Sequence, residues 1–214
     1  VDIDRNGVGE PVASWTKPRG TRDVPVEVPR TDDDFSGPSL GLQWQFNHNP
    51  VDDAWSLTER PGTLTLHALQ ADDFRRARNT LTQKTMGYRG TATVRMDFDD
   101  LADGQRCGIA CIGKANSLLG IRLYLEHGGT EAASFPVSGT TVYLRLQADA
   151  RANRYTLLYS TDNRNFTAAG DAFTMEFGNW KGVRVGLYCY NVRQAAGSVS
   201  FDDFTYRHDG PARR

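Results

Sequence analysis

The sequence predicts an all-β fold, an antiparallel β-sandwich of two sheets in the jelly-roll manner. Four segments alternate apolar and polar residues with a period of two, the pattern of half-buried strands. Turn signals such as "RPG", "HGG", "STDNRN" and "FGNW" fall between the candidate strands. No segment sustains a helical period, and strands recurring every roughly 10 to 15 residues without helices between them favour a sandwich over a parallel α/β sheet. A chain of 214 residues is long enough to bury one sizeable core.

From the N-terminus, residues 1–31 read as a lead-in. Four prolines, several glycines and no periodicity make this stretch irregular or extended. The sandwich domain is assigned to residues 32–214. Its first strand is expected in "LGLQWQFNHNP", where Trp44 and Phe46 share one face, packed into the core, and Gln45 and Asn47 share the other. Pro50 lacks an N–H donor and ends the strand. Asn47, His48 and Asn49 then sit at a strand end, able to bond turn backbone or to face a partner. Trp55 opens the next strand, and Arg60 to Gly62 turn the chain back. The charged patch "LQADDFRRAR" is expected to be a single turn or a loop. "ARNTLTQKT" sets Asn79, Leu81 and Gln83 against Thr80, Thr82 and Lys84, which adds Arg78, Asn79 and Gln83 to the same candidate recognition edge.

The four clean alternations follow. Ala92, Val94, Met96 and Phe98 face one way in "TATVRMDF"; Ile121, Leu123 and Leu125 do so in "GIRLYLEH". Val142, Leu144 and Leu146 form the apolar face of "TVYLRLQA", and Val183, Val185, Leu187 and Cys189 that of "GVRVGLYCYN". Their polar faces repeat arginine and tyrosine: Arg122 with Tyr124, Tyr143 with Arg145, Arg184 with Tyr188 and Tyr190. If these strands are neighbours they build an aromatic, cationic face suited to recognition; the alternative is an ordinary solvated outer face.

Composition excludes several classes. Lys and Arg total 25 against 26 Asp and Glu, a formal net charge of -1, so nothing favours nucleic acid or an anionic membrane as partner. No apolar run approaches the roughly 20 residues that span a bilayer. Cys107, Cys111 and Cys189 offer neither an even disulfide set nor a CxxC zinc pair and are read as buried free thiols. No nucleophile elbow, metalloprotease, P-loop or dinucleotide signature occurs. The five acidic pairs, in "TDDDF", "VDDAW", "QADDF", "DFDDL" and "SFDDF", read as turn and cap residues rather than a glycosidase dyad. No cofactor or metal site is expected. "DIDRNG" begins like a calcium loop with Asp2, Asp4 and Asn6, but Ala13 stands where a bidentate glutamate is needed, so a polar Asx-type turn is the simpler reading. Structural calcium between "DDDFSG" and "FDDFTY" is the remaining metal candidate.

The motifs "DDFSGPSLGLQWQFNHNP", "WSLTERPGTLTLHA", "ARNTLTQKTMG" and "FDDFTYR", in that order from about Asp32 to Arg207, resemble the C-terminal domain of glycoside hydrolase family 43 β-xylosidases. That domain is a concanavalin A-like β-sandwich, also described as a family 91 carbohydrate-binding module. The lead-in "VDIDRNGVGEPVASWTKP" is similar to the tail that leaves the family's catalytic domain, which fits a chain that opens on Val1 and implies a piece of a larger enzyme. The family's catalytic carboxylates lie on a five-bladed β-propeller, and nothing here resembles it. The resemblance therefore implies a companion module of a β-xylosidase or α-L-arabinofuranosidase, with no catalytic residue of its own. Its partners would be xylan or arabinoxylan oligosaccharides and the propeller of the same polypeptide. In the family a loop of the sandwich reaches the rim of the active site, and here it matches "FTMEFGNWKGVRVG". Phe177 and Trp180 are the residues expected to close a sugar subsite, since a pyranose offers an apolar face for a ring to stack on.

Three functions are then open: an accessory module that binds xylo-oligosaccharide or completes an active site, a purely structural interdomain or oligomerisation domain, and an independent hydrolase. The sequence favours the first. Secretion or a periplasmic home follows only from the substrate class.

Overall fold

The computed structural model describes residues 2, 5–9, 11, 12, 14, 16, 27–99, 101–120, 124–134, 139–178 and 182–210. Strands follow one another almost without helix: β1 (Gln45–Phe46), β2 (Trp55–Ser56), β3 (Leu64–His67), β4 (Leu69–Gln70), β5 (Leu81–Lys84), β6 (Arg89–Asp97), β7 (Gln105–Ile112) and β8 (Ser117–Gly120). The second half adds β9 (Tyr124–His127), β10 (Thr130–Ser134), β11 (Thr141–Asp149), β12 (Arg154–Ser160), β13 (Thr167–Ala168), β14 (Phe173–Thr174), β15 (Arg184–Asn191) and β16 (Ser198–His208). One sheet is ordered β1-β5-β15-β7-β8-β9-β10, with β4 also paired to β15. The other is ordered β13-β12-β11-β6-β16-β3-β2, with β14 beside β12. The pairings are antiparallel except the short parallel contact of β4 with β15. This is the two-sheet sandwich that the alternation predicts.

The core lies between the sheets. Ala92, Val94 and Met96 of β6 stand opposite Leu146, Leu144 and Val142 of β11, and all six are buried. They meet Ile109, Val185 and Leu187 from the facing sheet in one continuous cluster. Each such aliphatic chain contributes roughly 1.5–3 kcal/mol by leaving water. Trp44 is buried as expected, between Phe35 (centroids 5.7 Å apart) and Phe204 (4.8 Å). Phe46 packs at the margin of the core against Trp55.

The three cysteines are free, buried and turned into this core. Burial pushes the Cys111 thiol up to about 12, and the Cys107 thiol is raised by burial and by the neighbouring Cys189.

The acidic pairs serve geometry in several ways. Asp73 caps a single 3-10 turn, Phe74–Arg76, by accepting the Arg76 N–H, which settles "LQADDFRRAR" as one turn. Asp52 and Asp53 begin a second turn, Asp52–Ala54. Asp202 and Asp203 depart from the turn expectation. They sit inside β16, where its register with β6 shifts and Asp203 takes a left-handed φ of 49°. This irregularity sets Phe204 in the core and lets it pair with Asp33, N to O at 2.8 and 2.9 Å.

The candidate calcium positions "DDDFSG" and "FDDFTY" do meet, but through protein donors. Asp32 accepts from Tyr206 N (2.6 Å) and Arg207 (2.8 Å), Asp33 from Trp44 Nε1 (2.7 Å) and Gln43 (3.0 Å), and Asp34 from Ser36. Asp2 accepts the N–H groups of Asn6 and Gly7, an Asx-type turn. Asp4 and Ala13 lie outside the described residues.

Candidate functional site

Strand β15 is buried along its whole length, on both faces. Its alternation therefore marks the inner face correctly but not the outer one. Phe74, delivered by the capped turn, sits edge-on to Tyr188 at 5.4 Å, and Ala71 and Ala77 complete a small cluster with Tyr190 and Leu118. Tyr188 and Tyr190 are 0% and 1% exposed. The open stacking platform expected of them is thus corrected to a covered one. The cover comes from residues more than 100 positions away in sequence, which strand periodicity cannot reveal.

The expected single Arg–Tyr face is also divided. Arg145 lies on β11 in the other sheet, its guanidinium 3.4 Å from the Phe166 ring and its Nε donating to Thr93 Oγ1. Tyr124 belongs to β9 in the same sheet as β15; its side chain, like Arg122, lies outside the described residues.

The strand-end edge is chiefly a strap. Asn79, fully buried with a φ of 55°, accepts from Val51 N and donates to the carbonyls of Val51 and Ala54. Gln83 is buried and donates to the Thr31 carbonyl. Arg78 grips the Asn49 carbonyl through Nε and Nη2, and His48 Nε2 lies 2.8 Å from the Arg75 carbonyl. Asn79 and Gln83 are thereby removed from any surface edge. Asn47 is half-buried, its N–H bonded to the Thr80 carbonyl, and it lines a cleft.

That cleft, of about 410 Å³, opens between the end of β1, the Phe74–Arg76 turn, the turn after β7 and the loop before β15. Asn47, Arg75, Lys114, Asn116 and Arg184 supply its polar groups, and no carboxylate lines it among the described residues. Arg184 is 4% exposed; its Nη1 donates to Gln45 Oε1 at 2.7 Å and Thr82 Oγ1 at 3.0 Å. Desolvation lowers its pKa, though a guanidinium stays charged at any ordinary pH. Arg75 Nη2 donates to the Lys114 carbonyl at 3.0 Å, tying the capped turn to the turn after β7.

A close backbone contact fixes the loop that walls the cleft. A Cβ placed on Gly113 would stand 2.4 Å from the Glu176 carbonyl oxygen, and one on Gly178 would stand 2.9 Å from Gly113 carbons. Only hydrogen fits on either side. The Gly182 N–H closes the loop onto the Gly178 carbonyl at 3.1 Å. Phe177, held between these anchors, is 71% exposed. A single exposed apolar ring is ordinary at a protein surface, as Leu42 and Tyr88 show here; Phe177 is a recognition candidate because its loop walls the cleft. Trp180 lies outside the described residues. Phe177 was legible through the family motif alone. Arg75 and Lys114 were missed because an exposed cation gives no sequence signal of the cleft it lines.

Residues 32–207 match the family model described as the β-xylosidase C-terminal concanavalin A-like domain. A β-xylosidase of Formosa agariphila is 38% identical over 242 aligned residues, covering 99% of this chain and 40% of that protein. A non-reducing end α-L-arabinofuranosidase of Bacteroides ovatus is 23% identical, over 82% of this chain and 36% of that protein. The solved structure of a bifunctional GH43-CE protein of Bacteroides eggerthii superposes with a TM-score of 0.78 at 29% identity, covering 82% of this chain and 27% of the other. The chain thus spans about two-fifths of the length of the curated relatives it matches.

Proposed function

The chain belongs to the family of β-xylosidase C-terminal concanavalin A-like domains, and from that premise we propose that it is a non-catalytic accessory module of a xylan-degrading glycoside hydrolase. Its loop 173–183 completes the rim of the active site on a catalytic propeller of the same polypeptide, and the cleft below that loop takes xylo-oligosaccharide. The observation that carries this reading is the exposed Phe177 ring on a loop pinned at Gly113, beside a cleft of sugar size. Hydrolysis needs two carboxylates set about 5–10 Å apart across the bound sugar, and among the described residues the cleft lining offers none. The chemistry is therefore assigned to the companion domain.

A structural interdomain role without free sugar binding is the second reading. The burial of Tyr188 and Tyr190 supports it, because it withdraws two of the rings that would stack on a sugar.

Calorimetric titration of the chain with xylohexaose and arabinoxylan separates the two. Saturable binding weakened by Phe177→Ala or Trp180→Ala supports the module reading. The absence of heat from a folded chain supports the structural one. The isolated chain is expected to leave aryl xylosides and arabinosides intact, and contaminant-free turnover would overturn its non-catalytic assignment.

A further inference from the structure

We infer that the cleft under the Phe177 loop is a carboxylate site, and that its ligand is an acidic side group, a uronic acid, carried on a xylan-type oligosaccharide. The inference rests on the accessory-module reading and deepens it. Arg75, Lys114 and Arg184 place three cations around one cleft. None of them is within ion-pairing distance of a carboxylate among the described residues.

Arg184 is the most telling of the three. A guanidinium taken out of water is costly unless charge and hydrogen bonds compensate. Among the described residues the compensation comes from neutral oxygens of Gln45 and Thr82, both at Nη1. Its Nε is buried without a hydrogen-bond partner among the described residues, so the protein leaves this guanidinium undersatisfied. A carboxylate is the group whose planar geometry and charge suit a guanidinium fork.

No acid lines this cleft among the described residues, although the exposed Glu176 stands beside it, its carbonyl accepting the Lys114 N–H at 3.4 Å. Asp73 and Glu126 line the adjoining hollow. Asp73 is occupied with the Arg76 N–H and Glu126 lies 3.7 Å from Arg106. The remaining groups point to a sugar rather than a bare anion. Asn47 and Asn116 line the same cleft; Asn116 Oδ1 accepts the Gly113 N–H at 3.3 Å, which leaves its NH2 as the group suited to a sugar hydroxyl. The exposed Phe177 ring stands on the loop that walls it, able to stack on a pyranose.

The test is titration of the chain with a xylo-oligosaccharide bearing a glucuronic acid side group, beside the same molecule with its carboxyl reduced to an alcohol. The acidic form is expected to bind at least about tenfold tighter at low salt, with the advantage shrinking in 0.5 M NaCl as charges are screened. Lys114→Gln and Arg75→Gln, both at exposed positions that leave the core untouched, should each reduce that preference several-fold.

Equal affinity for the two forms would overturn the inference, as would an acid preference that survives both substitutions. If neutral xylohexaose still binds in that case, the accessory-module reading stands without the carboxylate site. The same preference should appear in the full-length enzyme. Its loss there would mean that an acidic side chain of the enzyme itself occupies the cleft, and would overturn assignment to a sugar.

Discussion

Substitution Gly113→Ala links the fold to the proposed function most tightly. The added Cβ would lie 2.4 Å from the Glu176 carbonyl oxygen, about 1 Å short of ordinary contact, and its neighbour is backbone that cannot swing aside. The 176–178 segment must move outward by about that distance, carrying Phe177 with it. Overpacking of this kind costs about 1–3 kcal/mol, which lowers the unfolding midpoint of a chain this long by roughly 2–12 °C. A displacement of about 1 Å in a positioning group can cost up to about 100-fold in turnover. The assay pairs thermal unfolding of the chain with kcat/KM of the full-length enzyme on an aryl xyloside. Gly37→Ala is the control, because its Cβ would meet its nearest neighbour at an ordinary 3.5 Å. A Gly113→Ala enzyme with native kcat/KM and native midpoint would refute the pinned-loop reasoning.

Further outcomes follow from the core and its charges. Asp33→Ala removes the acceptor of the buried Trp44 indole N–H and of the Phe35 N–H, where Phe35 holds a φ of 52°; a loss of about 3 kcal/mol is expected, read as a midpoint lower by roughly 6–12 °C. Burial raises the Glu126 carboxyl above its ordinary value of 4.5, with Arg106 opposing. As pH rises past 4.5 the unfolded chain therefore gives up this proton first, and the folded state loses stability until the native group ionises. Glu126→Gln should flatten that decline in a pH series of unfolding midpoints, and an unchanged slope would refute it. The buried thiols should resist a thiol reagent at pH 8 in the folded chain and react on unfolding; rapid labelling of the native protein would contradict the raised pKa values of Cys107 and Cys111.

Much of the fold was legible because its strands obey a local rule. The apolar members of the "TATVRMDF" and "TVYLRLQA" alternations lie opposite one another in register and in the core. Local patterning fails where the structure depends on distant covering segments. Tyr188 and Tyr190 alternate as outward residues, yet the Phe74 turn buries them. Arg145 and Arg184 look equivalent in sequence but lie on opposite sheets, because strand order is not written in period two. Asn79 and Gln83 carry groups suited to recognition and instead hold carbonyls inside the fold. The Gly113–Gly178 contact had no sequence signal beyond two glycines 65 positions apart.

The most direct test of the accessory role is the kcat/KM of the full-length enzyme on short xylosides with Phe177 and Trp180 replaced by alanine. Phe177 is too exposed to support the fold, so the unfolding midpoint of the Phe177→Ala single variant should stay native and separate kinetic from structural effects. A fall in kcat/KM of about tenfold or more, already evident in that single variant, is the expected result. Native kinetics in the double variant would contradict the role assigned to the loop and leave the domain a structural partner of the catalytic one.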